Sequence, residues 1–280
     1  MKRFFLHLVV LLLAACSESK KDAQAASGQP AVSTTDLPVV VLGGPTCAEF
    51  VKGLTLAGVS KAQDLSRESL AGKAAALHAA SVAVILVDAT EGPLPVTRED
   101  VLLTRQFCRG TVVIGFSKSA LVEDAELLDL EEMEVRDLLN KYDHPGDTAA
   151  VGFDSESART KQPKGFAALA VLLSKMRPAD PPRAARPAQQ AAGAELYVLA
   201  DLEAFKRGLI QPVSSGGCQL IFGDKVVPCT LQTPQAVQPG SAGKVTLAFP
   251  EPVSFRVGDR FVIGVEDHLT AAGRIGDVTR

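Results

Sequence analysis

Two continuous apolar runs constrain the fold of this chain more than any other feature. Val39-Val40-Val41-Leu42 and Val82-Ala83-Val84-Ile85-Leu86-Val87 have no polar residue on either side of the pleat. A strand apolar on both faces must be covered on both faces, which is the signature of a parallel sheet between helices. Helical patterns stand where such a sheet needs them: Ala48–Leu56, Arg67–Ala80, Arg98–Phe107, Ala125–Tyr142 and Phe166–Met176. In Ala125–Tyr142, the residues Leu128, Val135, Leu139 and Tyr142 share one face at helical spacing. Thr111–Phe116 and Ala149–Phe153 read as further strands, so residues 37–176 are expected to form an α/β domain.

The pattern then changes. Residues 177–193 carry Pro178, Pro181, Pro182 and Pro187 and read as an extended linker. From residue 194 onward short strands alternate with turn signals such as Pro239-Gly240 and Gly258-Asp259. The expected strands are Glu195–Leu199, Cys218–Phe222, Lys225–Leu231, Gly243–Phe249, Arg260–Val265 and Gly273–Val278, a small β-barrel. Gly223-Asp224 reads as a two-residue hairpin turn. Counting outward from it places Cys218 opposite Cys229, within reach of a disulfide. Cys47 and Cys108 fall at opposite edges of the parallel sheet and are not expected to pair.

The amino terminus reads as an export signal. Lys2 and Arg3 precede an apolar stretch, Phe4–Leu13, too short to span a bilayer, and Ala14 and Ala15 follow. Leu13-Ala14-Ala15-Cys16 resembles a bacterial lipobox. That resemblance implies cleavage after residue 15, lipidation of Cys16 and attachment to a membrane through several acyl chains, each buried CH₂ contributing about 0.8 kcal/mol. Ser17 follows in place of an acidic residue, so the expected location is the outer membrane of the cell envelope. Residues 16–36 are polar and small and read as a disordered tether. Removing Lys2 and Arg3 from the 29 basic residues leaves 27 against 32 acidic ones. That balance supplies no broad basic face for nucleic acid.

Two longer segments bring a family into view. Val84-Ile85-Leu86-Val87-Asp88-Ala89-Thr90-Glu91-Gly92-Pro93-Leu94-Pro95-Val96-Thr97-Arg98-Glu99 resembles elongation factor Tu, as does Leu127–Asp147 with its Glu-Met-Glu-Val-Arg-Asp-Leu-Leu core and Tyr-Asp-His-Pro-Gly-Asp ending. The barrel region is similar to that factor's last barrel around Ala194–Leu199 and Arg260–Ile263. The resemblance implies a GTPase-like, P-loop-NTPase-type domain joined directly to the last barrel, the middle barrel being absent.

The nucleotide chemistry of that family is dismantled in this sequence. A phosphate loop needs glycine N–H groups, a lysine for the β/γ oxygens and a Ser/Thr hydroxyl for Mg²⁺. The stretch Gly43-Gly44-Pro45-Thr46-Cys47-Ala48-Glu49-Phe50 places Glu49 at the lysine and Phe50 at the hydroxyl position. The guanine-reading Asn-Lys-x-Asp is replaced by Ser117-Lys118-Ser119-Ala120, which keeps only the lysine. Asp88 and Glu91 read as structural, and Glu131-Glu132-Met133-Glu134 as a solvated helix face. His78, His144 and His268 share no metal-ligand spacing.

The expected function is therefore a pseudo-GTPase scaffold that binds an unidentified envelope protein, without catalytic residues, metal or cofactor. The competing expectation is a GTP-binding protein or residual GTPase that uses GTP and Mg²⁺. The anchor is tested by Cys16→Ala: metabolic labelling with a fatty-acid probe should mark the wild-type protein and leave the variant unlabelled and unprocessed or soluble. A mature wild-type protein without label would refute lipidation.

Overall fold

The computed structural model describes residues 35–180, 188–200, 208, 210–265 and 267–276. The signal segment, Cys16, most of the tether and the proline-rich centre of the linker lie outside the described residues. The described residues belong to one compact unit.

The α/β half runs β1 (Val39–Leu42), α1 (Cys47–Leu56), β2 (Ala62–Asp64), α2 (Leu70–Ala79), β3 (Val82–Asp88), α3 (Pro95–Phe107), β4 (Thr111–Ser117), α4 (Ala125–Lys141), β5 (Ala150–Phe153) and α5 (Phe166–Ser174). The five strands are parallel, in the order β2-β1-β3-β4-β5. Side chains alternate across the pleat, which explains why the runs are apolar throughout. Val39, Val41, Val82, Val84 and Leu86 pack beneath α1 and α5, whereas Val40, Leu42, Ala83, Ile85 and Val87 belong to the core on the opposite face. Local chemistry starts the helices. The Ser69 hydroxyl accepts the Gly72 N–H at 3.1 Å ahead of α2, and the Asp124 carboxylate accepts the Glu126 N–H at 2.9 Å ahead of α4. Pro95 opens α3, where its missing N–H costs nothing.

The second half is a closed antiparallel barrel of β6 (Gln189–Val198), β7 (Gly216–Phe222), β8 (Lys225–Gln232), β9 (Ala242–Val253), β10 (Arg260–Val265) and β11 (His268–Ile275), arranged β10-β11-β6-β9-β8-β7. Pairing of Phe261 with Phe222 joins β10 to β7 and leaves no open edge. The barrel packs on the α2–α3 face, and one apolar core runs through both halves. Leu70 marks the junction. Its N–H donates to Asp267 Oδ1 at 3.3 Å, and a Cβ on Gly264 would lie 2.3 Å from its Cδ2. Glycine at 264 is thus required by close packing, not by turn geometry.

Several sequence boundaries shift. The barrel begins at Gln189, inside the segment expected to be linker, because Ala191–Tyr197 form a continuous ladder with β9 and Ala192 is fully buried. β11 begins at His268, five residues before the expected start at Gly273. The tether ends sooner than expected: Thr35 is buried and bridges to Val59, and Asp36 accepts the Ser60 hydroxyl at 3.0 Å. The short edge strand β2 was not legible as a strand. Among the described residues no helix is long and apolar enough to cross a membrane.

The β7–β8 hairpin has the expected register, Phe222 against Lys225 and Cys218 against Cys229. Gly223 takes a φ of +61° in the turn. Pro228, which lacks an N–H, stands opposite Gln219 at a position that alternation makes non-hydrogen-bonded. The two cysteines are free thiols with their sulfurs 3.1 Å apart. In an oxidising compartment these thiols should join. Peptide mapping without reduction should recover a linked 218–229 peptide from protein kept under oxidising conditions. A bridge between Cys47 and Cys108 would contradict the sheet topology.

Candidate functional site

In an open parallel sheet, ligands bind beyond the carboxyl ends of the strands, at the point where strand order reverses. Here that point lies between β1 and β3. Most of the positions singled out in the sequence lie at this edge, and two of them, Ser117 and Lys118, are tied to neighbouring elements.

The β1–α1 connection is Gly43-Gly44-Pro45-Thr46. Gly43 has a φ of +150°, and a Cβ there would lie 2.5 Å from the Leu86 carbonyl oxygen. Its glycine is therefore demanded by the neighbouring strand. The Cys47 N–H closes onto the Gly44 carbonyl at 3.3 Å. Thr46 precedes the helix without capping it. Its hydroxyl oxygen instead lies 2.9 Å from that of Ser117, which ties the loop to the end of β4. Glu49 is exposed in the first turn of α1. Phe50 is buried and stacks edge-on against Phe166 of α5, with ring centroids 5.3 Å apart. The residue at the expected Mg²⁺ position is thus a core aromatic facing away from the edge.

Lys118 sits at the end of β4 in a left-handed conformation, φ +55°. Its Nζ is 2.5 Å from Asp88 Oδ2 at the end of β3. The other oxygen of Asp88 accepts the Thr90 N–H at 3.0 Å and the Thr90 hydroxyl at 2.6 Å. Burial pushes the Asp88 carboxyl up, but these donors outweigh it and hold it below the ordinary carboxylate range. The hydrogen bond to Asp88 raises Lys118, with Glu91 and Glu49 adding the same sign. Asp154, just beyond β5, accepts the Lys118 N–H at 2.8 Å, the Ser119 N–H at 3.1 Å and the Ser119 hydroxyl at 2.5 Å. Ala120 is exposed in the short 3-10 turn that follows and offers no side-chain acceptor.

Asp154 was not singled out in the sequence. Its signal was only positional, an acid directly after an apolar strand. The reading of Glu131 and Glu132 as solvated is corrected, because both are buried. Glu132 accepts Arg136 Nε at 2.9 Å and Gln162 Nε2 at 3.1 Å. Glu131 lies beside Gly92, and its Oε2 has no hydrogen-bond partner. Burial first, and then the charges of Glu134 and Asp88, push its pKa up to about 7.

The family-like segments comprise β3 with the start of α3 and most of α4, and the turns within them are held by their own contacts. Asp88 and Gly92 close the turn after β3, with the Gly92 N–H on the Asp88 carbonyl at 2.9 Å. Arg136 Nη1 donates to the carbonyls of Gly146, Asp147 and Ala149 at 2.6, 3.2 and 3.0 Å. The Asn140 amide bonds Gly146 N–H and Asp147. These contacts account for the Tyr142–Asp147 turn without invoking a ligand.

Taken together, the edge presents the exposed Glu49 and Glu91 beside the Lys118–Asp88 pair and Asp154, with Glu131 buried behind them. Among the described residues no group of three or more His, Cys, Asp or Glu is placed to hold a metal ion. No protein-family model matches the chain.

Glu131 supplies a pH test. A carboxyl whose folded pKa exceeds its unfolded value favours folding below the unfolded value, near 4.5, and that contribution is lost as pH rises toward about 7. Glu131→Gln should raise stability at pH 8 by on the order of 1–2 kcal/mol and leave it nearly unchanged at pH 4. Urea unfolding at the two pH values measures the difference, and an equal effect at both would show that Glu131 does not titrate in this range.

Proposed function

We propose that the chain is an exported, lipid-anchored protein of the bacterial cell envelope that acts as a pseudo-GTPase scaffold for another envelope protein. On this reading a GTPase-like α/β frame and a barrel like the last one of elongation factor Tu are kept as architecture, and nucleotide use is lost. The observation that carries the reading is Lys118. The one retained residue of the guanine-reading motif has its ammonium on Asp88 and its backbone N–H on Asp154. Phe50 in the core and Glu49 at the rim support it, because Phe50 offers no hydroxyl to Mg²⁺ and Glu49 sets a negative charge where a lysine would meet the phosphates. The parallel order β2-β1-β3-β4-β5 and the closed barrel agree with such an ancestry. Lipid on Cys16, outer-membrane placement and a protein partner belong to the same proposal and rest on the sequence.

Each lost charge-assisted hydrogen bond costs about 1.5–3 kcal/mol, and each 1.4 kcal/mol is about tenfold in affinity. Loss of both phosphate and base contacts should therefore leave GTP binding millimolar or weaker. Titration of a fluorescent GTP analogue with Mg²⁺ is expected to show no saturation as the protein approaches millimolar concentration. Saturable micromolar binding that unlabelled GTP competes away would overturn the reading and favour a GTP-binding protein.

A further inference from the structure

The opposite, amino-terminal edge of the sheet is not sealed. The end of α3, the starts of β4 and β5 and the turn after α4 enclose an open cavity of about 500 Å³, a volume typical of small-molecule sites. Val112, Ala150 and Met176 give it an apolar wall; Arg105, Asp143 and His144 give it a polar one.

Arg105 is under-used. Its Nε is buried without an acceptor, and its Nη2 comes no closer than 3.7 Å to Asp143 Oδ2, beyond hydrogen-bond range. Asp143 itself is 81% exposed, so that long contact is screened by water. His144 adds no charge: burial holds it below the ordinary histidine range, and its Nε2 lies 3.1 Å from the Val101 carbonyl, which only an N–H can satisfy. Arg260 of β10 lies close enough to Arg105 for the two positive charges to oppose each other. A half-buried guanidinium on the cavity wall, with no acceptor at hydrogen-bond distance, is a receptor for a carboxylate fork.

We propose that this cavity binds a small organic monocarboxylate, with its carboxylate on Arg105 and its apolar body against Val112, Ala150 and Met176. A phosphate dianion fits less well. It would face Asp143 with a second negative charge and leave the apolar wall uncovered.

The site is independent of the nucleotide reading, and octanoate is a suitable probe. Calorimetric titration of the full chain with octanoate should saturate below about 10 mM, with octanol and inorganic phosphate at least about tenfold weaker. Arg105→Gln should weaken octanoate about tenfold or more, by loss of the charge-assisted hydrogen bonds. Asp143→Asn changes an exposed side chain and frees the guanidinium; it should tighten octanoate about two- to threefold. That second variant keeps the test decisive if the first fails to fold. Absence of saturation, equal binding of octanol or phosphate, or indifference of octanoate to the substitutions would overturn the proposal.

Discussion

A parallel sheet tolerates water on neither face, and that requirement organises the whole described chain. Its strands are apolar at both pleat positions, so α1 and α5 must cover one side and α2, α3 and α4 the other. The second cover is itself only half covered. α2 and α3 carry apolar residues on the side away from the sheet, and the barrel completes their burial. Leu70 and Gly264 show how tight that junction is, since a Cβ at 264 would lie 2.3 Å from the Leu70 Cδ2. The barrel is thus part of the same core, and its closed ladder removes the edges that a free sheet would expose.

The same economy closes the carboxyl edge. A ligand site in this architecture needs unpaired donors, yet here each strand end donates to or accepts from its neighbour. Thr46 meets Ser117, Lys118 meets Asp88, and the backbone beyond β4 is held by Asp154. A carboxylate takes positions that an anionic ligand would otherwise fill, and it stabilises the left-handed turn at Lys118 without one. Behind this edge, burial first and then the charges of Glu134 and Asp88 raise the pKa of Glu131.

Sequence patterns disclosed the architecture where they were periodic and missed it where a partner strand did the work. β1 and β3 were legible because two-sided burial leaves a continuous apolar run. β2 is only Ala62-Gln63-Asp64, half exposed at a sheet edge, and carries no such mark. The start of β6 was hidden because Gln189–Gly193 has little strand preference of its own; its conformation comes from the ladder to β9. At the site, residue chemistry alone showed that Glu49, Phe50 and Ala120 supply no lysine, hydroxyl or acid at those positions. That Lys118 is engaged could not be read in this way, because its partners lie 30 and 36 residues away on other strands. Glu131 and Glu132 were misread through their charge. Their spacing of three and four from the buried Leu128 places them on the inward face of α4, so helix geometry contained the right answer.

The two edges of one sheet have therefore diverged in chemistry. At the carboxyl edge, polar groups from four strand ends satisfy each other over short distances, and the neighbourhood is acidic. At the amino edge, helix α3 ends at Phe107 and delivers Arg105 into a space that no neighbouring acid fills at hydrogen-bond distance. The difference has a structural source. At the carboxyl edge the Asp88 carboxylate bonds the backbone of its own turn, and Asp154 bonds the backbone of the turn after β4. The turn after α4 is instead held from behind by Arg136 and Asn140, through Gly146 and Asp147. Its own Asp143 and His144 are left facing the cavity. The unfilled donor of Arg105 consequently sits where the scaffold's own hydrogen bonds do not reach.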